Sequence, residues 1–189
     1  MTTEERVREA AVRLFAERGF HGTGIRDLAQ AAGLSSATLY HYMGTKEDLL
    51  VSIMRTSLTD LITQAEAIAE GEPDETTRIV SLVEMHVRAH AEKPRETAVV
   101  DGEMRALTGE RRAEIVALRD RYEQVWQDAI ADGVKAGRLK VTEPSVARLA
   151  LLEMCSGVSR WYSPDGPLGL RDLTIQYGSM ALGMLGAAR

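Results

Sequence analysis

The chain has 189 residues, 44% hydrophobic and 27% charged, ordinary values for one or two globular domains and too apolar for a disordered segment. Its single cysteine, Cys155, excludes an intrachain disulfide, and its net charge of −5 argues against a basic nucleic-acid-binding arm. Residues 1–50 carry six basic and seven acidic side chains, so any DNA contact there has to rest on a few well-placed groups, on helix N-termini and on two copies acting together.

Nearly every segment reads as helix. A first helix spans about Thr3–Arg18, with Val7, Ala10, Ala11, Leu14 and Phe15 on one stripe, Thr2 and Glu5 at capping-box spacing, and Gly19 at its end. A second runs from about Gly24 to Ala32 and a third from about Ser36 to Tyr42, separated by Gly33 as a C-terminal glycine and Ser35 as a fresh N-cap. The third opens on Ser36, Ala37 and Thr38, residues that suit no core. Small or hydrogen-bonding side chains in the first turn of the second helix of a helix-turn-helix are what an approach to base edges in the major groove requires.

Thr45 is a candidate N-cap for a long fourth helix, whose apolar face from Leu49 to Ala69 lasts some six turns, long enough to bridge two domains. The polar stretch EGEPDE, residues 70–75, breaks the chain, and a fifth helix carries Ile79, Leu82, Val83, His86, Val87 and His90 in one stripe before Pro94. A further helix covers about Arg95–Leu107, interrupted by Gly102, and a long pattern runs from Ile115 to Gly133. The segment Ser145–Trp161 is apolar nearly all round, which predicts burial on more than one side. After a turn-rich SPDGPLG, a last helix over about Leu170–Leu185 mixes Tyr177, Met180 and Met184 with Gly178, Ser179 and Gly183, small residues that predict a close helix–helix contact. The Ser145–Trp161 and Leu170–Leu185 helices are too apolar for the surface of a monomer, so they predict a homodimer built as a four-helix bundle. The best apolar run, LALLEMCSGV, is interrupted by Glu153 and falls short of the roughly 18 residues of a membrane span. With no apolar signal-like stretch in MTTEERVREAA, the expectation is a cytoplasmic protein with no membrane association.

Residues 10–50, AAVRLFAERGFHGTGIRDLAQAAGLSSATLYHYMGTKEDLL, resemble the N-terminal DNA-binding domain of the TetR family of transcriptional regulators. The resemblance rests on LFAERGF, on IRDLA in the second helix, on AAGLS at the turn, on TLYHY in the third helix and on KEDLL opening the fourth. It implies an all-α protein: a three-helix helix-turn-helix domain over residues 1–50 and a larger helical ligand-binding and dimerisation domain over 51–189. It further implies a homodimer on a palindromic double-stranded DNA operator, released by a small-molecule effector, most commonly as a repressor.

The family pattern places Ser36, Ala37, Thr38, Tyr40 and His41 at the DNA, with Tyr40 reaching a phosphate and the others near base edges. Lys46 matches the family's phosphate-contacting lysine, Arg26 is placed to reach a base or phosphate, and Thr23 and the start of the second helix would meet the backbone through N–H groups. Gly24 stands where many relatives have Thr or Ser, so a hydroxyl contact is absent and weaker positioning follows. Leu39, Tyr42 and Met43 are assigned to the core.

For the second domain, His86, His90, Met104, Tyr122, Trp126, Met154, Arg160 and Trp161 are the candidate effector contacts, bulky or polar groups that an apolar pocket uses and a helical core uses equally. The segment GVSRWYSPDG, residues 157–166, resembles a TetR subgroup, common in actinobacteria, that regulates lipid and sterol catabolism, with some members responding to acyl-CoA thioesters. That implies a lipid-like or acyl-CoA effector, with Arg160 facing an anionic group; Arg160 and Trp161 lying in the dimer interface is the competing account. His86 and His90 are one helical turn apart, but a third metal ligand such as Asp101 or Glu103 has no pattern behind it, and hydrogen-bonded histidines are the better account. Two rival readings use the same residues: a metal-dependent helical enzyme, and an architectural DNA-binding protein without effector. The first lacks Glu-x-x-His pairs, G-x-S-x-G, a Walker loop and a G-x-G-x-x-G in strand–helix context. The second leaves the aromatic-bearing second domain without a purpose. The expectation is a regulator with no catalytic residues, no metal and no cofactor.

Overall fold

The computed structural model describes residues 1–187. Regular structure among them is helical throughout: α1 Thr3–Gly22, α2 Ile25–Ala32, α3 Ser36–Met43, α4 Lys46–Gly71, α5 Glu75–Glu92, α6 Pro94–Gly102, α7 Gly109–Lys135, α8 Pro144–Ser156 and α9 Leu170–Met184, with 3-10 turns at Glu103–Ala106 and Gly157–Arg160. The chain packs as two units, the first holding residues 1–59 and 95–118, the second residues 60–94 and 119 onward. No helix among the described residues is long and apolar enough to cross a membrane.

In the first unit, local chemistry sets each boundary. The Thr2 hydroxyl accepts the Glu5 N–H at 3.1 Å while the Glu5 carboxylate accepts the Thr2 N–H at 2.7 Å, the reciprocal cap that opens α1. The helix breaks at Gly19, whose φ of 75° and ψ of 161° are outside helical space, and one further turn follows to Gly22. Gly33 takes a left-handed conformation at φ 67° and its N–H bonds back to the carbonyls of Ala29 and Gln30, closing α2. Ser35 then caps α3 by accepting the Thr38 N–H at 3.1 Å. Eight residues are too few for a helix that stands alone in water. Packing holds α3: Leu39 and Met43, one turn apart, are buried in a core with Leu14, Phe15, Leu28, Leu50 and Met54 from the N-terminal helices and Val99, Val100, Leu107 and Ile115 from the 95–118 segment. Tyr42, assigned to this core from sequence, is 42% exposed. With Leu39 and Met43 defining the inward face, Tyr42 falls on its flank and meets the His41 ring edge-on at 5.2 Å.

In the second unit, α5 buries the predicted stripe of Ile79, Leu82, Val83, His86, Val87 and His90. It lies close against α9, where a Cβ on Gly178 would sit 3.1 Å from Val80 Cγ1, so the close helix contact read from the small residues is partly this one. Gly183, by contrast, faces open space. The apolar segment after Ser145 is not one helix: α8 ends at Ser156 and tightens into the 3-10 turn. It is also buried on one side only, through Leu151 and Cys155, while Val146 and Leu149 are 62% and 50% exposed. On α9, Ile175, Met180 and Met184 are likewise exposed.

Candidate nucleic-acid interface and buried polar cluster

The outward surface of α3 carries Ala37, Thr38, Tyr40, His41 and Tyr42 exposed and Ser36 half-buried, with Tyr40 at 51%. Thr38 is at the third helical position, its hydroxyl 2.8 Å from that of Ser35, so the cap and the surface hydroxyl form one short hydrogen-bonded pair. Arg26, in the first turn of α2, is exposed. Gly24 is the N-cap of α2, and its N–H donates to the Asp27 carboxylate at 3.1 Å, an internal anion that occupies a donor expected from sequence to meet phosphate.

Thr23 and Lys46 both take structural roles at the corner between α1 and α2. Thr23 is 1% exposed. Its hydroxyl donates to the carbonyls of Gly19 at 2.9 Å and Leu14 at 3.2 Å, and its N–H to Phe20 O at 3.3 Å, so it offers no donor outward and instead fixes the corner between α1 and α2. Lys46 reaches the same corner from the start of α4. Its ammonium donates to Phe20 O at 2.7 Å and Thr23 O at 2.8 Å and lies 4.2 Å from the Phe20 ring centroid.

The peptide of Phe20 is held at both ends, since its N–H donates to the Glu103 carboxylate at 3.1 Å. That bond stands where Gly19 interrupts α1 and leaves a donor without a helical partner. Glu103 thus braces the first unit, as do other charges of the 95–118 segment. Glu96 pairs with Arg8 at 3.0 Å, and Arg111 meets Asp48 and, at 3.4 Å, Glu47. Asp48 also accepts from the Thr45 hydroxyl and N–H; these bonds, then Arg111, hold its carboxyl down at about 2. Sequence reasoning finds the caps because their spacing is local; it has no access to Glu103 and Lys46 meeting at Phe20, which join positions 83 and 26 residues away.

The second unit contains a buried polar cluster. His86 Nδ1 lies 2.7 Å from the Tyr122 hydroxyl and its Nε2 3.0 Å from the Ser156 hydroxyl, while His90 Nδ1 donates to His86 O at 2.9 Å. The two imidazoles stack at 4.1 Å, and Trp126, with no exposed surface, turns its ring edge-to-face with His86 at 5.7 Å. Of the eight effector candidates, His86, His90, Tyr122 and Trp126 come together. Ser156 escapes the sequence reading, although a serine inside the apolar run MCSGV is a visible anomaly. Met154 is half-buried on α8; beyond the helix, Arg160 and Trp161 are both exposed. Met104 belongs to the first unit, where it packs against the apolar core. Asp101 and Glu103 are also in that unit, and among the described residues no three His, Cys, Asp or Glu side chains group as a metal site.

Burial, and then the neighbouring His90, hold His86 well below its ordinary 6.5. Burial likewise pushes the Cys155 thiol up to about 12. Because the folded state refuses a proton that the unfolded chain accepts, stability is complete above 6.5 and falls as pH drops below it. Below pH 6.5 the expected slope approaches about 1.4 kcal/mol per pH unit from this one group, and chemical denaturation of His86→Gln in that range should show a flatter dependence.

Comparison with known proteins matches two stretches of the chain to known families. Residues 7–53 match the family described as "Bacterial regulatory proteins, tetR family", and residues 71–185 match "Tetracyclin repressor-like, C-terminal domain". The HTH-type transcriptional repressor KstR2 of Rhodococcus jostii (strain RHA1) is 30% identical over 176 residues, covering 92% of this chain and 86% of that protein. The crystal structure of the TetR family transcriptional regulator PfmR from Thermus thermophilus superposes with a TM-score of 0.84 at 32% identity, covering 97% of this chain and 99% of that one. The structure of AibR in complex with isovaleryl coenzyme A and operator DNA gives a TM-score of 0.84 at 26% identity, over 97% and 98% of the two chains. With residues 7–53 and 71–185 matched to the family's models and nearly its whole length to these relatives, this chain belongs to the TetR family of transcriptional regulators and is not an enzyme.

Proposed function

We propose that the protein is a cytoplasmic repressor that binds a palindromic operator as a homodimer and is released by a small apolar or acyl-CoA-like effector. Residues 1–50 serve as the DNA-binding domain and 51–189 as the ligand-binding and dimerisation domain. The observation that carries this reading is α3: Leu39 and Met43 anchor it while Ala37, Thr38, Tyr40 and His41 stay exposed. A helix so presented enters a major groove, with Ser36, Ala37, Thr38 and His41 toward base edges and Tyr40, Arg26 and Lys46 toward phosphates. The exposed apolar residues of α8 and α9, with Gly183 open beside them, support pairing of two copies. The isovaleryl coenzyme A bound by AibR supports the effector class. Arg160, one turn beyond Ser156 and exposed, is suited to the anionic portion of such a ligand.

Helix α4 is continuous over residues 46–71, and its first residue pins the α1–α2 corner. A ligand that displaces α4 therefore alters the presentation of α3, and differential affinity for the two states supplies a coupling on the order of 1–3 kcal/mol. Selection of bound DNA from a random pool tests the operator, and the expected product has dyad symmetry. On that site, Ser36→Ala and Thr38→Ala should each reduce specific binding roughly fivefold to tenfold while non-specific binding and salt dependence hold steady. If neither changes operator preference, the first turn of α3 does not read bases and Arg26, His41 or DNA shape does.

A further inference from the structure

Inside the second unit a buried indole lacks a partner. The Trp126 N–H is on a residue with no exposed surface, and nothing in the described structure accepts its hydrogen bond. A buried unpaired donor costs on the order of 1–3 kcal/mol, so folding alone would favour Phe or Leu at this position. The surroundings are equally unsuited to a purely structural core. Helices α5, α7 and α8 each contribute polar groups: His86 and His90, Tyr122, and Ser156. Both ring nitrogens of His86 are occupied by hydroxyls, which fixes the imidazole that meets the indole edge-to-face. The donor is thus held in place and left unsatisfied.

We infer that the Trp126 indole N–H is the recognition donor for an uncharged carbonyl-type oxygen of the effector. This rests on the second unit being the effector domain. Tyr122, Ser156 and Trp126 are uncharged, and burial keeps His86 neutral as well. A carboxylate entering here would lose far more hydration than a thioester, ester or ketone oxygen, which loses little and gains the indole bond. The cluster therefore selects the acyl carbonyl of a conjugated acid over the free acid, and a regulator built this way reports the activated form of its ligand.

The test uses the full-length protein labelled with 15N at the indoles of its two tryptophans, the Trp126 signal being the one missing from Trp126→Phe. Isovaleryl-, octanoyl- and palmitoyl-CoA are titrated beside free CoA and the three free acids, with operator release followed in parallel. A thioester should move the Trp126 proton downfield and slow its exchange with solvent, the CoA and free-acid controls should not, and Trp126→Phe should bind that thioester about tenfold more weakly. A thioester that binds with the Trp126 signal unmoved, a free acid that shifts it equally, or unchanged affinity in Trp126→Phe overturns the inference. Should Trp126→Phe fail to fold, the shift in the unsubstituted protein, assigned through Trp161→Phe, still decides. Release from operator without an indole shift rejects the site and keeps the proposed function; an indole shift without release does the reverse; no binding by any thioester rejects both.

Discussion

Lys46→Ala is expected to lower the unfolding free energy by about 2 kcal/mol and to weaken binding to every DNA sequence. Its ammonium closes the carbonyls of Phe20 and Thr23 at 2.7 and 2.8 Å, charge-assisted bonds that alanine leaves open in a part-buried corner. Two of its three N–H groups are spent there, which leaves one for a phosphate. The salt dependence separates the two roles. If the third donor meets DNA, the slope of log affinity against log salt falls by about one per subunit. If the lysine acts only by fixing the corner, affinity falls and the slope stays. Lys46→Arg keeps the charge and should retain the slope while losing part of the stability. A melting profile unchanged in Lys46→Ala would show that the two carbonyl bonds contribute nothing net.

The second large effect concerns assembly. Met180→Asp places a charge among Ile175, Met184 and Gly183 on the outer face of α9, where Met180 is 48% exposed in the single chain. Burying that carboxylate against a second copy is unfavourable by several kcal/mol, whereas the isolated chain loses nothing from it. Sedimentation should therefore give a monomer with an unchanged helical spectrum. Operator affinity should fall about 10²- to 10⁴-fold, because the second half-site no longer binds at high effective concentration. A dimer that persists with full operator affinity would move the interface elsewhere. Asp60→Asn, a charge change on an exposed residue of α4, serves as the control.

What the sequence makes legible follows physical range. The N-terminal caps at Thr2, Ser35 and Thr45 and the left-handed Gly33 depend on residues within a few positions, and each is readable from spacing. The α5 stripe is readable because burial on one face imposes a helical period. Tyr42 is misassigned because, on an eight-residue helix, periodicity alone cannot separate the inward face from its flank. Thr23 is assigned by the resemblance to a DNA contact through its N–H; only the fold shows that N–H on Phe20 O and the hydroxyl closing the carbonyls of Leu14 and Gly19. Ser145–Trp161 reads as buried all round because composition does not distinguish a chain's own core from a surface awaiting a second molecule. The DNA-facing residues come from a resemblance, since exposed Ser, Thr and Tyr have no period of their own.

The discontinuity of the first unit bears on how regulators of this kind can be recombined. Val99, Val100, Leu107 and Ile115 complete the apolar core under α1 to α4, and Glu96, Glu103 and Arg111 close Arg8, the Phe20 amide and Asp48. A fragment ending at residue 59 would present that core to water and lose all three attachments. The DNA-reading helices are therefore not a transplantable cassette: a chimera joined in α4 inherits a foreign 95–118 segment and with it a mismatched floor. Exchanging operator specificity between relatives should succeed by substituting exposed positions of α3 in place, or by moving residues 1–59 and 95–118 together.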